Sequence, residues 1–242
     1  MAKTTIKIDS KNMKMVAHQG LFGLERGNSN QAFTAACNRE KYYGIETDVH
    51  RTADGKYVCI HDSNTKGVSG VDMDVEASTL AQLQSVRLMD IDGTTDREDI
   101  RIPTLQDYIK LCHRYGKVSV LELKTPFEAE HVREIADIIR DMGYLDMTVF
   151  ISFHRQDLIY LKEYLPNQRA QYLTCEWNED IKAFLNKYNL DIDICYPPLT
   201  KEIFDDIKAT GKEINIWTVD DKALGEQYAE WGADYLTTNI LE

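Results

Sequence analysis

Apolar residues along the chain fall into short runs separated by stretches with helical spacing, and the two patterns alternate for most of its length. Lys14-Met-Val-Ala-His18 reads as a short strand ending in a glycine-containing turn, and Asn28 or Ser29 is placed to cap a helix through Ala32, Phe33, Ala36 and Cys37. A second strand ends at Glu46-Thr-Asp48. Arg51-Thr-Ala-Asp-Gly55 then turns into Lys56-Tyr-Val-Cys-Ile60, a hairpin-like element that delivers His61 and Asp62. From there to about Ile102 the pattern is irregular, with a short helix signalled at Ser78-Thr-Leu and a longer one opening at Pro103. Beyond it the rhythm is regular. Strands over Val118–Leu123, Met147–Ser152, Gln168–Leu173, Ile192–Ile194, Ile214–Trp217 and Asp234–Thr237 alternate with helices over Glu128–Met142, Gln156–Tyr164, Asp180–Tyr188, Lys201–Ala209 and Asp221–Trp231.

Strands beginning near residues 14, 43, 118, 147, 168, 190, 213 and 233 make eight β/α units, which predicts an α/β fold of the TIM (β/α)8 type, with residues 51–102 as an insertion after the second strand. A doubly wound open sheet is the competing layout. It requires edge strands and usually a glycine-rich first turn, and neither is evident. The polar residues favour the barrel, because His18, Glu46, Asp48, Glu122, Lys124, Ser152 and Trp217 all fall at or near C-terminal strand ends, which in a barrel form one mouth.

Side chains two apart on a strand share a face, so Glu46 converges with Asp48, and Glu122 with Lys124. The flanking runs are apolar enough to be central strands, where unpaired charge is costly. Glu46, Asp48 and Glu122 therefore read as oxygen ligands of a hard divalent cation, Mg²⁺ or Ca²⁺, against the alternative of ion pairing with basic residues around the rim. His18 and His61 are the proton carriers expected at neutral pH, the rival uses being zinc ligation or a purely structural role. Lys124 either neutralises the carboxylates or holds an anionic oxygen; the two roles are compatible. Asp62 is placed to orient His61 or to cap the following turn, Trp217 to wall a pocket or to pack in the core, and Tyr196, ahead of Pro197-Pro198, to reach a substrate from the same rim. His50, His113, His131 and His154 read as structural or exposed. A metal, two histidines and a lysine, with no dedicated thiol or serine nucleophile, suit phosphodiester chemistry in which a substrate hydroxyl or water attacks.

Composition narrows the setting. The chain has 242 residues with no linker or low-complexity tract, so residues 1–242 are expected to form a single domain. A formal charge of -12 argues against nucleic acid as a partner and leaves a phosphorylated small molecule open. Cys37, Cys59, Cys112, Cys175 and Cys195 are odd in number and widely spaced, which predicts buried thiols rather than a disulfide framework. The N-terminal Met1-Ala-Lys-Thr-Thr-Ile-Lys lacks the apolar stretch of a signal peptide and no segment is long enough to span a bilayer, so the cytoplasm is the expected compartment.

With these features in order along nearly the whole chain, the sequence resembles the glycerophosphodiester phosphodiesterase family. The likeness runs through Ala17-His-Gln-Gly20, Asn28-Ser29, Gly44-Ile-Glu-Thr-Asp-Val-His50, Thr52-Ala-Asp-Gly55, His61-Asp62, Ser78-Thr-Leu, Ile102-Pro-Thr-Leu105, Leu121-Glu-Leu-Lys124, Ser152-Phe153, Trp217-Thr-Val219 and Gly232-Ala-Asp234. It implies a TIM barrel with a small insertion, divalent-cation binding by Glu46, Asp48 and Glu122, acid/base roles for His18 and His61, and phosphate contact by Lys124. It also implies hydrolysis of glycerophosphodiesters to glycerol 3-phosphate and an alcohol, the neighbouring glycerol hydroxyl attacking first and water opening the cyclic phosphate. A lyase that releases the cyclic phosphate and a barrel that binds a phosphorylated ligand without turnover are the alternatives. This chain departs from the family pattern at Gln19, usually arginine, at Gly27, usually glutamate, and at Asn239, near a position that is often aspartate. Gln19 can still donate a hydrogen bond to substrate, but the charge-assisted bond it replaces is worth about 1.5–3 kcal/mol.

Overall fold

The computed structural model describes residues 4–242; residues 1–3, which begin the stretch searched for a signal peptide, lie outside the described residues. The first strand, β1 (Lys14–Ala17), is followed by α1 (Asn30–Cys37), whose cap is Ser29, its side chain accepting from the Ala32 amide. Strand β2 (Tyr42–Arg51) turns back into the short antiparallel β3 (Tyr57–Cys59), the hairpin that carries His61. Helices α2 (Lys66–Ser69) and α3 (Leu80–Ser85) lie in the irregular segment before α4 (Leu105–Tyr115). Thr79 and Thr104 open α3 and α4 with reciprocal capping boxes, the local chemistry that starts a helix inside an otherwise patternless stretch.

The regular part of the chain then alternates as its spacing implies. It runs β4 (Val118–Leu123), α5 (Ala129–Asp141), β5 (Thr148–Ser152), α6 (Arg155–Tyr164), β6 (Ala170–Thr174), α7 (Glu179–Tyr188) and β7 (Asp191–Cys195). It ends with α8 (Lys201–Ala209), β8 (Ile214–Trp217), α9 (Lys222–Trp231) and β9 (Tyr235–Thr238). Neighbouring parallel strands are ordered β1-β9-β8-β7-β6-β5-β4-β2, and pairing of β1 with β2 closes the ring. The fold is a TIM barrel, not an open sheet.

Strand alternation divides each strand between two cores. Leu121 and Leu123 of β4 face the helices in the large outer core, whereas Val118 and Val120 join Val16, Val149, Ile151 and Leu173 in a small core inside the ring. Glu122 follows Val118 and Val120 on that inner face. A third cluster, including Val58, Ile60, Val75, Leu83 and Ile100, holds the segment between β3 and α4 together. Arg26 fastens that segment to the loop after β1, its guanidinium donating to the carbonyls of Met89 and Asp90. Among the described residues no helix is long and apolar enough to cross a membrane.

The cysteines correct one expectation. Cys37, Cys59 and Cys112 are buried free thiols as read from the sequence, but Cys175 and Cys195 form a disulfide. The pair spans one β/α unit, 20 residues, and sits at the C-terminal ends of the paired strands β6 and β7 with Cα atoms 4.9 Å apart. Linear spacing gives no sign of this, because adjacency is created by strand register.

Candidate active site

Parallel register sets Asp48 of β2 directly beside Glu122 of β4, and Glu46 lies one inner position below Asp48. All three carboxylates are buried, at 3, 1 and 6 % exposure for Glu46, Asp48 and Glu122, and an oxygen from each lies within 4.8 Å of the others. Their surroundings are specific. The Gln19 amide donates to Glu46 Oε2 at 2.7 Å, Asn28 Nδ2 donates to Asp48 Oδ2 at 2.7 Å, and Lys124 Nζ lies 3.0 Å from Asp48 Oδ1. The same ammonium is 3.1 Å from Glu122 Oε1 but out of line for a hydrogen bond, so that buried oxygen has no donor. Asn28 thus serves the site while Ser29 caps α1, which separates two roles that the sequence left open.

One ammonium cannot balance three buried carboxylates. Burial, reinforced by Asp48, pushes the Glu122 carboxyl up to about 8, and burial with the charges of Asp48 and Glu122 raises Glu46 well above the usual range. Burial would raise Asp48 too, but Lys124, His61 and Asn28 outweigh it and hold that carboxylate ionised. Lys124 stays protonated because Asp48 and Glu122 outweigh the effect of its own burial. An all-oxygen donor set, an orphaned Glu122 oxygen and two carboxyls whose proton affinity is raised by burial and by one another's charge fit a hard divalent cation, whose binding would favour their ionised forms.

The histidines flank this cluster. His18 Nδ1 is 2.7 Å from Asn239 Oδ1, and Asn239 Nδ2 in turn donates to Asp220 Oδ2 at 2.7 Å. Because Asn239 presents its oxygen, His18 carries its proton on Nδ1 and keeps a lone pair on Nε2, which points to Glu46 at 4.0 Å. Burial lowers the proton affinity of His18 below the usual histidine range. His61 differs, being half-exposed with Nδ1 2.7 Å from the carboxylate of Asp62. Its carbonyl accepts from His50 Nε2 at 3.2 Å, so the buried His50 helps to hold the hairpin end in place.

His18, Glu46, His61, Glu122, Lys124 and Trp217 open onto one cavity of about 360 Å³. Other residues read from the sequence lie elsewhere. Tyr196 is exposed at the rim and does not line the cavity, and Ser152 turns into the helix layer, donating to the Leu123 carbonyl and to Asp157. Gln19 lends its backbone to Glu46 while its side chain lies over Gly27, where a Cβ would stand 2.6 Å from Gln19 Oε1 and 2.8 Å from the Phe22 ring. The Gln19 side chain therefore occupies the space that a side chain at residue 27 would need. Gly27→Glu alone is expected to destabilise by about 1–3 kcal/mol. Adding Gln19→Ala, which removes the Oε1 contact, should recover part of that loss, which a double-mutant cycle of thermal melts would measure.

Residues that the sequence reading missed complete the cavity: Phe153 after β5, whose ring meets Trp217 edge-on at 5.6 Å, and Asp193 on β7. Asp193 is 1 % exposed and its Oδ1 has no hydrogen-bond partner. Only its position in a strand read as a short apolar run could have flagged it. Burial pushes its carboxyl up to about 8. A carboxyl raised on folding contributes stability at low pH that is lost as pH climbs from about 4 to about 8. Asp193→Asn is accordingly expected to melt higher than the parent at pH 8, by the equivalent of about 1–3 kcal/mol, with the gap closing towards pH 4.

The profile of the Glycerophosphoryl diester phosphodiesterase family matches residues 18–242. The chain belongs to that family. It is an enzyme of the phosphoric diester hydrolase class. A glycerophosphodiester phosphodiesterase of Caldanaerobacter subterraneus subsp. tengcongensis is 24% identical over 202 residues, covering 82% of this chain and 83% of the relative. The crystal structure of a glycerophosphodiester phosphodiesterase from Parabacteroides distasonis superimposes with a TM-score of 0.77 at 27% identity, covering 94% of this chain and 93% of the other. An Oleispira antarctica phosphodiesterase, solved with the product sn-glycerol-3-phosphate, has the same fold with a TM-score of 0.87 at 22% identity, covering 96% of this chain and 95% of the other. The family's barrel thus carries in this chain the carboxylate cluster and both histidines.

Proposed function

We propose that the chain is a divalent-cation-dependent glycerophosphodiesterase, with His18 as general base and His61 as general acid. The observation that carries this reading is the convergence of Glu46, Glu122, Lys124, His18 and His61 on one cavity, with a carboxylate oxygen of Asp48 within 4.8 Å of both glutamates. Glu46, Asp48 and Glu122 would hold the cation, which when bound supplies charge to polarise the phosphoryl oxygens. Lys124, fixed by Asp48 and Glu122, presents a permanent ammonium to the anionic diester.

The partners behind the two imidazoles support this division of the proton transfers. Asn239 fixes the tautomer of His18 and cannot take a proton, so Nε2 is available to accept one from the attacking hydroxyl. Asp62 lies against His61 Nδ1 and orients the ring, so that a proton on Nε2 can be delivered to the departing alkoxide. No serine or thiol is placed to attack, which suits a nucleophile supplied by the substrate's own neighbouring hydroxyl and then by water. The side-chain arginine that the family usually offers to phosphate is absent, which leaves Lys124 and the cation to grip it.

The deciding assay sets a panel of glycerophosphodiesters and lysophospholipids against Mg²⁺, Ca²⁺ and chelator, with products identified. Release of glycerol 3-phosphate that stops on chelation is expected. A cyclic phosphate as the final product would make the chain a lyase, and metal-dependent ligand binding without turnover would make it a binding protein. Either outcome overturns the hydrolase mechanism.

A further inference from the structure

Asp193 is the one acidic group of the cavity that the phosphodiester chemistry leaves without a task. It stands on β7, four strands round the ring from β2, and so faces the carboxylate cluster from across the barrel. No lysine, arginine or histidine pairs with it among the described residues, although it is 1 % exposed and its Oδ1 lacks a donor. The one side chain that eases its burial is Asn215, whose Nδ2 also approaches Gln171 Oε1 at 3.4 Å and whose Oδ1 accepts from Thr237 Oγ1 at 3.1 Å. Above it are aromatic faces. Trp217 Nε1 donates to the Asp193 carbonyl at 3.1 Å, which pins the indole next to the carboxylate, and Phe153 stands perpendicular to that indole.

A buried carboxyl with no cationic partner, beside two aromatic rings, is an environment that attracts an organic ammonium: the rings offer cation–π attraction, and the carboxyl, on losing its proton, the counter-charge. A hydroxyl could satisfy the orphaned oxygen but not the charge. Resting on the phosphodiesterase reading above, we infer that Asp193, walled by Phe153 and Trp217, selects diesters whose alcohol half carries a positively charged ammonium group. The phosphate then lies at the cation and Lys124 while the ammonium reaches across the barrel to β7. Burial, opposed only by Asn215, pushes the Asp193 carboxyl up to about 8, and a cation beside it would favour the ionised form.

The test compares kcat/KM for glycerophosphocholine, glycerophosphoethanolamine and the uncharged glycerophosphoglycerol in the parent and in Asp193→Asn, which keeps shape and removes charge. The ratio of cationic to uncharged diester is expected to fall roughly 10- to 100-fold in the variant. An unchanged ratio, or one moving towards the cationic diesters, overturns the inference. Binding to the unmodified protein gives a readout independent of that variant: free choline should quench Trp217 fluorescence at lower concentration than its uncharged isostere 3,3-dimethylbutan-1-ol, and equal affinities would overturn the inference. Absence of turnover of every diester by the parent would sink the hydrolase reading instead, leaving the choline comparison to judge Asp193 on its own.

Discussion

His18→Ala is expected to lower kcat by about 10²- to 10⁴-fold while leaving the circular dichroism spectrum and melting temperature close to those of the parent. The side chain contributes a proton acceptor rather than packing, since its partners Asn239 and Asp220 hold each other without it. His61→Ala should cost a similar factor, but the two variants are separable by chemical rescue. Added imidazole can reach the half-exposed position of His61 and should restore part of its activity, whereas the His18 side chain, at 23% exposure against 48%, should respond less. Because base and acid act in one step, the double variant should lose little more than either single one. Retention of activity within tenfold by His18→Ala would remove it from the proton-transfer path.

Substitutions at the carboxylate cluster should all abolish turnover yet move stability in opposite directions. Asp48→Ala deprives Lys124 and Asn28 of their shared partner, and breaking a buried pair in this way is expected to destabilise the metal-free protein by about 3 kcal/mol or more. Glu122→Gln should do the reverse. Its carboxyl is raised to about 8 by burial and Asp48, so the stability it contributes at low pH is lost as pH rises from about 4.5 to about 8. The glutamine variant should therefore gain on the metal-free parent across that window. In the parent, Mg²⁺ or Ca²⁺ should raise the melting temperature more at pH 8 than at pH 6, because fewer protons must leave; neither variant should show the shift. Thermal melts across pH with and without cation measure all three effects. A full cation-induced shift in Glu122→Gln would remove Glu122 from the ligand set.

Much of the architecture is local and was legible in the chain. Strand starts expected near 118 and 213 appear at Val118 and Ile214, and the helix expected over Lys201–Ala209 has those bounds, since caps such as Thr200 and a 3.6-residue apolar period act within a few residues of themselves. The carboxylates were legible for a related reason: two glutamates and an aspartate on apolar strands are too costly to bury without a purpose. Two features were not legible, for different reasons. Cys175 meets Cys195 only through the pairing of β6 with β7. Gln19 has the chemistry to touch phosphate, but the space over Gly27 draws its side chain away.

By itself, then, the sequence determined the β/α rhythm, the barrel it closes into and the identity of the acidic and basic groups at the strand ends. Side-chain alternation is a property of each strand alone, so it requires no knowledge of the partners. The tertiary structure alone decided how those groups divide their work: Asn239 behind His18, Asp62 behind His61, Lys124 shared by Asp48 and Glu122, and Asp193 unpaired across the ring. Those assignments rest on distances between strands far apart in the chain, and closing the barrel is what sets such distances.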